Sequence, residues 1–313
     1  MSVKPFVEAA VAVLCRDDGQ VLLGQRPEGK PWAGWWEFPG GKIEEGETPF
    51  HALQRELHEE LGVEAEIAYP WVTRTFDYPE RTVKLRFFTV PKWHGEPHGR
   101  ENQQLSWQDP AAVGVGPLLP ANAPILDALC LPPVYAITNL HEMGRERFFA
   151  GLHQALESGL RLVQVREKQL TPVELEAFSA EVIAHCRPYG TRVLLNGTPE
   201  MAQGVGADGV HFSSAALAAT SSRLQGLLCA ASCHSVEELA KAAALEFDFV
   251  LLSPVMATLS HPQAMPLGWE RFKGMIAEYS LPVYALGGMR PECMTDAWTH
   301  GAHGIAMQRA IWE

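Results

Sequence analysis

A chain of 313 residues, 47% hydrophobic and 20% charged, has the composition of an ordinary soluble globular protein and room for two domains. Its formal net charge of −12 excludes a polyanion-binding surface, so duplex nucleic acid is not an expected partner. No apolar run approaches the ~20 residues that span a bilayer, so no membrane partner is expected either.

The chain opens with residues 7–16, read as a buried strand rather than a secretion signal because Glu8 interrupts the apolar run and Asp17-Asp18 follow it. Asp17-Asp18-Gly19 turns it into a second strand, 21–26. A loop rich in Gly, Pro and Trp, residues 27–36, then delivers Glu37-Phe38-Pro39-Gly40-Gly41.

Thr48 is a good N-cap, Pro49 suits the first helical position, and Gly62 supplies the left-handed residue that ends many helices. The spacing therefore predicts a helix over about 49–61. Phe50, Leu53, Leu57 and Leu61 form its core stripe. Glu56, Glu59 and Glu60 stand at i, i+3 and i+4, so their carboxylates converge on another face. Such a run alone most often marks a solvated acidic face. Here the glycine-rich turn in front and the partners Glu47 and Arg55 favour an oxygen-only site for Mg²⁺, with Mn²⁺ as the alternative.

Beyond the helix, residues 65–78 and 82–93 alternate like paired strands joined by Pro79-Glu80-Arg81, and 123–131 form a short closing helix. These elements suit an α/β/α sandwich around a mixed sheet.

The stretch from Gly41 to Val63 matches every fixed position of the Nudix box, and residues 1–131 resemble a Nudix hydrolase domain. Phe38-Pro39-Gly40-Gly41-Lys42-Ile43-Glu44 and Gly46-Glu47-Thr48-Pro49 are similar to the MutT branch, whose members hydrolyse oxidised purine nucleoside triphosphates such as 8-oxo-dGTP. The resemblance implies that Glu56, Glu59, Glu60, Glu101 and the Gly41 carbonyl hold Mg²⁺, and that one of the four glutamates accepts a proton from water. Arg55 is expected to orient Glu47. Arg26 is a candidate phosphate contact. Pro120-Ala121-Asn122-Ala123-Pro124 resembles the segment whose Asn reads the purine edge, with Tyr78 and Arg81 as possible neighbours of the base.

After Pro132-Pro133 the rhythm changes. Eight short apolar runs, 134–138, 160–166, 192–196, 209–212, 227–232, 249–252, 282–285 and 304–307, alternate with helix-length segments such as 145–157, 172–186, 236–244 and 269–278. Residues 134–313 thus read as a (β/α)₈ TIM barrel with a curtailed last helix, and the chain as a whole as α/β. Six cysteines without a C-x-x-C pair suit reduced thiols in a cytoplasmic protein.

Gln164-Val165-Arg166-Glu167-Lys168, Ala207-Asp208-Gly209-Val210-His211 and Ala285-Leu286-Gly287-Gly288 resemble the thiamine-phosphate synthase/TenI family. The candidates for a thiazole- or thiamine-phosphate ligand are Arg166, Lys168, Asn196, His211, His234, Gly287 and Gly288. Two departures matter. Asn196-Gly197 stands where the synthases have Asn-Asp, and Phe212-Ser213-Ser214-Ala215-Ala216 replaces their acidic run. Loss of both magnesium-binding acids argues against synthase activity and leaves TenI-like proton transfer or a binding module as the expectation. The fusion also admits hydrolysis of thiamine-related diphosphates by the first half.

Overall fold

The computed structural model describes residues 4–258 and 265–313, as two compact units that change over at Cys130–Leu131. In the first unit, β1 (Phe6–Leu14), β2 (Val21–Gln25), β3 (Trp36–Glu37) and β4 (Gly40–Lys42) precede α1 (Pro49–Leu61). They are followed by β5 (Glu64–Asp77), β6 (Thr82–His94), β7 (Leu105–Gln108) and α2 (Ala123–Leu129).

The order β4-β1-β6-β5 makes a mixed sheet, with β1 and β6 parallel and the outer pairs antiparallel. A second, antiparallel sheet runs β3-β2-β7. Because side chains alternate along a strand, β1 serves two cores. Ala10, Ala12 and Leu14 pack with Leu53, Leu57 and Leu61 of α1. Val11 and Val13 pack with Ile125 and Leu126 of α2. That alternation is the predicted sandwich.

Helix α1 has the expected ends: the Thr48 hydroxyl accepts from His51 N–H, and Gly62 sits at φ 71°. One residue of the expected stripe is misplaced. Phe50, in the first turn, is exposed, and Ala52 packs into the core with Leu53, Leu57 and Leu61 instead.

In the second unit eight parallel strands close a barrel: β8 (Val134–Ile137), β9 (Leu162–Val165), β10 (Arg192–Leu195), β11 (Gly209–Phe212), β12 (Leu228–Cys233), β13 (Phe249–Leu252), β14 (Val283–Leu286) and β15 (Gly304–Met307). Its interior is filled by Tyr135, Leu162, Leu194, Phe249, Leu251 and Tyr284, so it is a packed core and not a channel. No helix follows β15; Trp312 tucks inward and its indole N–H donates to the Ile137 carbonyl at 3.0 Å. Among the described residues, no helix is long and apolar enough to cross a membrane.

Candidate active site

The strand-turn-helix of the first unit brings its acids against backbone. At Gly40 (φ 142°) a Cβ would lie 2.2 Å from the Ala10 carbonyl oxygen, so β4 can hug β1 only with glycine there. At Gly41 a Cβ would lie 2.2 Å from the Glu56 carboxyl carbon. The missing side chain is therefore the space in which Glu56 rests.

Arg55 organises the neighbouring acids. Its guanidinium donates two bonds of 3.0 Å to the Glu47 carboxylate, one of 2.7 Å to Glu56, one of 3.3 Å to Glu59 and one of 2.9 Å to the Lys42 carbonyl. The fork holds Glu47 below the ordinary carboxylate range. Glu60 has no such cation. It accepts a long bond, 3.4 Å, from Gly40 N–H, and burial together with the Glu56 charge pushes its carboxyl up to about 7.

Glu60 and Gly40 line a cleft with Arg26, Lys30, Glu37 and Glu101. Lys30 pairs with Glu101 across it. Arg26, expected at phosphate, is committed within the chain: it donates 2.7 Å to the Pro31 carbonyl and 2.5 Å to Glu37. Burial raises the Glu37 carboxyl, and Arg26 opposes that rise.

The expected convergence of Glu56, Glu59 and Glu60 is not reached in this state. Among the described residues no three acidic, His or Cys side chains are gathered as a metal-binding group. The physical reason is the competition just described: Arg55 draws Glu59 outward and holds Glu56, and Lys30 draws Glu101. The donor set nonetheless fits a hard divalent cation, because all its side chains offer oxygen and the half-buried Glu60 carries charge that no nearby cation offsets.

At the other end of the site Asn122 is 4% exposed, yet its side chain does not cap α2 and has no hydrogen-bond partner among the described residues. Tyr78 is buried beside it, with its hydroxyl against the Ala121 backbone amide. Arg81 closes the hairpin, its carbonyl accepting from Tyr78 N–H at 2.9 Å.

In the barrel, His211 is fully enclosed. Its Nε2 lies 2.9 Å from the Ser232 hydroxyl and its Nδ1 3.2 Å from the Tyr135 hydroxyl, to which Gln164 also donates. Burial, with Arg166 nearby, pushes its imidazole down to about 3, so it stays neutral at pH 7. Asn196 donates 2.8 Å to the His211 carbonyl. His234, by contrast, is exposed, with Nδ1 2.9 Å from the Ser253 carbonyl. Arg166 and Lys168 repel one another, and among the described residues neither makes an ion pair. Gly287 and Gly288 adopt φ of 103° and 71°, with Pro254 and Ala257 backbone too close for any Cβ.

Sequence reasoning did not single out Glu37, Lys30, Tyr135 or Ser232. Glu37 stood on the page in Glu37-Phe38-Pro39-Gly40-Gly41, where an acid beside a buried Phe was a usable signal. The others carry no local signal, since each partner lies far along the chain.

The NUDIX domain family model matches residues 5–129, and the model described as thiamine monophosphate synthase matches residues 134–311. An 8-oxo-dGTP diphosphatase of Haemophilus influenzae is 40% identical over 126 residues, 40% of this chain and 93% of that protein. A CTP pyrophosphohydrolase of Escherichia coli is 41% identical over 123 residues, 39% of this chain and 90% of that protein. A candidate thiamine-phosphate synthase of Aquifex aeolicus is 36% identical over 178 residues, 56% of this chain and 95% of that protein. The chain thus belongs to the Nudix hydrolases through its first unit and to the thiamine monophosphate synthase/TenI family through its second.

Proposed function

We propose that the first unit hydrolyses oxidised purine nucleoside triphosphates of the 8-oxo-dGTP kind to the monophosphate and pyrophosphate. The observation that carries this reading is Asn122, 4% exposed, whose side chain makes no hydrogen bond among the described residues and which follows the Ala121 amide that meets Tyr78. An amide offers one donor and one acceptor, and a purine edge offers the matching pair.

Glu56 and Glu60, with Glu59, Glu101 and the Gly41 carbonyl, would hold Mg²⁺ or Mn²⁺. When bound, the cation supplies charge neutralisation for the phosphates. Arg55 fixes Glu47 and Glu56 in register with the glycine turn. One of Glu56, Glu59, Glu60 and Glu101 accepts the proton of the attacking water. Arg26 acts through Glu37 and the Pro31 carbonyl, positioning the loop above the cleft.

Asn122→Ala is expected to cut the preference for 8-oxo-dGTP over dGTP by about 5- to 100-fold, the size of a good bidentate contact. Because no hydrogen bond within the fold is lost, its melting temperature should change little. A variant that keeps the wild-type preference would rule out Asn122 as the base reader.

The 41% identity to a CTP pyrophosphohydrolase favours a second reading, in which a pyrimidine triphosphate is the substrate. The fusion favours a third, trimming of thiamine-related diphosphates. Rates on CTP, thiamine diphosphate and 8-oxo-dGTP with one preparation separate the three.

For the barrel, Arg166 and Lys168, which make no ion pair among the described residues, support a phosphate-ester site, with thiazole phosphate or thiamine phosphate as the ligand. Arg166→Ala should weaken thiazole phosphate binding about 10- to 100-fold by calorimetry, as loss of a charged hydrogen bond implies. Absence of binding to the wild type would sink this part of the reading.

A further inference from the structure

Trp32 sits in the loop of residues 27–35 with φ 64°, a left-handed conformation that is strained for a bulky residue. It gains no deep burial in return: Trp32 is half-exposed, whereas Trp36 at the start of β3 is 6% exposed and part of the core. Its ring centroid lies 4.9 Å from that of Trp35 and 5.8 Å from that of Tyr78, at interplanar angles of 83° and 61°. Neither neighbour lies flat against it, so the half-exposed indole keeps room for a planar guest. Tyr78 in turn touches Phe76 and lies against the Ala121 amide, one residue from the unpartnered Asn122.

The loop is held in this pose from both sides. Arg26 grips the Pro31 carbonyl immediately before Trp32, and Lys30 pairs with Glu101 on the far wall of the cleft. Strain at one bulky side chain, anchors on either side of the loop and an aromatic neighbour one residue from the Asn122 amide point to the same region.

We propose that Trp32 is a base-binding residue, the stacking platform for the nucleotide base whose edge Asn122 reads. This rests on the nucleotide reading above. Stacking explains what the amide alone cannot: Asn122 can align a base edge but offers no surface to hold the ring. Aromatic stacking also has no base code, so it confers affinity for a base and leaves discrimination to the amide.

The test is steady-state kinetics of the full chain with 8-oxo-dGTP and with CTP, comparing wild type, Trp32→Ala and Trp32→Phe. Trp32→Ala should raise KM about 10- to 100-fold with kcat within about twofold, and Trp32→Phe should recover most of the loss. Inhibition by inorganic pyrophosphate, which has no base, should be the same in all three. An unchanged KM in Trp32→Ala, or an equal loss with pyrophosphate, would overturn the proposal. If the wild type prefers CTP, the oxidised-purine reading fails, and Trp32 is then judged by the KM for CTP.

Discussion

Glu56→Gln and Glu60→Gln should each lower hydrolysis by the full chain about 10³-fold or more, the scale of losing a group that stabilises developing charge. Glu60→Gln should at the same time make the metal-free chain more stable at pH 8. The Glu60 carboxyl titrates at about 7 in the fold, against an ordinary value of 4.5, because burial and the Glu56 charge both penalise its ionised form. A folded-state value above the unfolded one means the native chain binds the extra proton between pH 4.5 and 7. Stability is then lost as pH rises through that window, and above 7 the full penalty is present. Removing the charge removes the penalty, by on the order of 1–2 kcal/mol for this half-buried group. Urea titrations at pH 4 and pH 8 should show the variant matching the wild type in acid and exceeding it in base. A variant less stable at both pH values would contradict the electrostatic account. Glu56→Gln should show no such gain, since it separates Glu56 from the Arg55 guanidinium that already offsets its charge.

The neighbouring glycines should fail in different ways. Gly40→Ala drives a Cβ to 2.2 Å from the Ala10 carbonyl and 2.8 Å from the Val11 Cα, both on the central strand β1, at a φ of 142° that side chains rarely adopt. Backbone cannot step aside there, so a loss of about 3 kcal/mol or more in chemical denaturation is expected. At Gly41 the same substitution meets only the far end of the Glu56 side chain. That carboxylate can swing away, so Gly41→Ala should cost under about 1 kcal/mol in stability while lowering activity about 10²-fold. Equal losses of stability in the two variants would show that Glu56 does not rest against Gly41 in solution.

Much of this was legible in the chain because its signals are local. Thr48, Pro49 and Gly62 mark both ends of α1, and the alternation along β1 assigns its two faces to two cores. The eight barrel strands could be read from short apolar runs at regular intervals, and their order follows from parallel closure. What escaped has no period to read. β3 and β4 are two and three residues long and exist through pairing with β2 and β1. The exposure of Phe50 and the burial of Ala52 depend on how α1 is rotated against its core, which helical spacing alone leaves open by one position. In the site, the acids and Arg55 could be placed from helical spacing. Their pairings could not, because Lys30–Glu101 and Arg26–Glu37 join segments set in place by tertiary structure. The enclosure of His211 by Tyr135 and Ser232 likewise arises only when β8, β11 and β12 curl into one barrel.

These two units carry unequal chemical equipment. The first gathers acids and a glycine turn around one cleft. The second keeps its enclosed histidine neutral and, among the described residues, leaves Arg166 and Lys168 without an ion pair. A hydrolase of phosphorus anhydrides joined to a phosphate-ester-binding barrel accounts for both.

The measurement that tests this most directly is kcat/KM of the full chain, with Mg²⁺, on 8-oxo-dGTP, dGTP, CTP and thiamine diphosphate side by side. The account predicts release of pyrophosphate and 8-oxo-dGMP, with 8-oxo-dGTP preferred over dGTP by at least tenfold and over the other two. Equal rates on 8-oxo-dGTP and dGTP, or a faster rate on CTP or thiamine diphosphate, would contradict it.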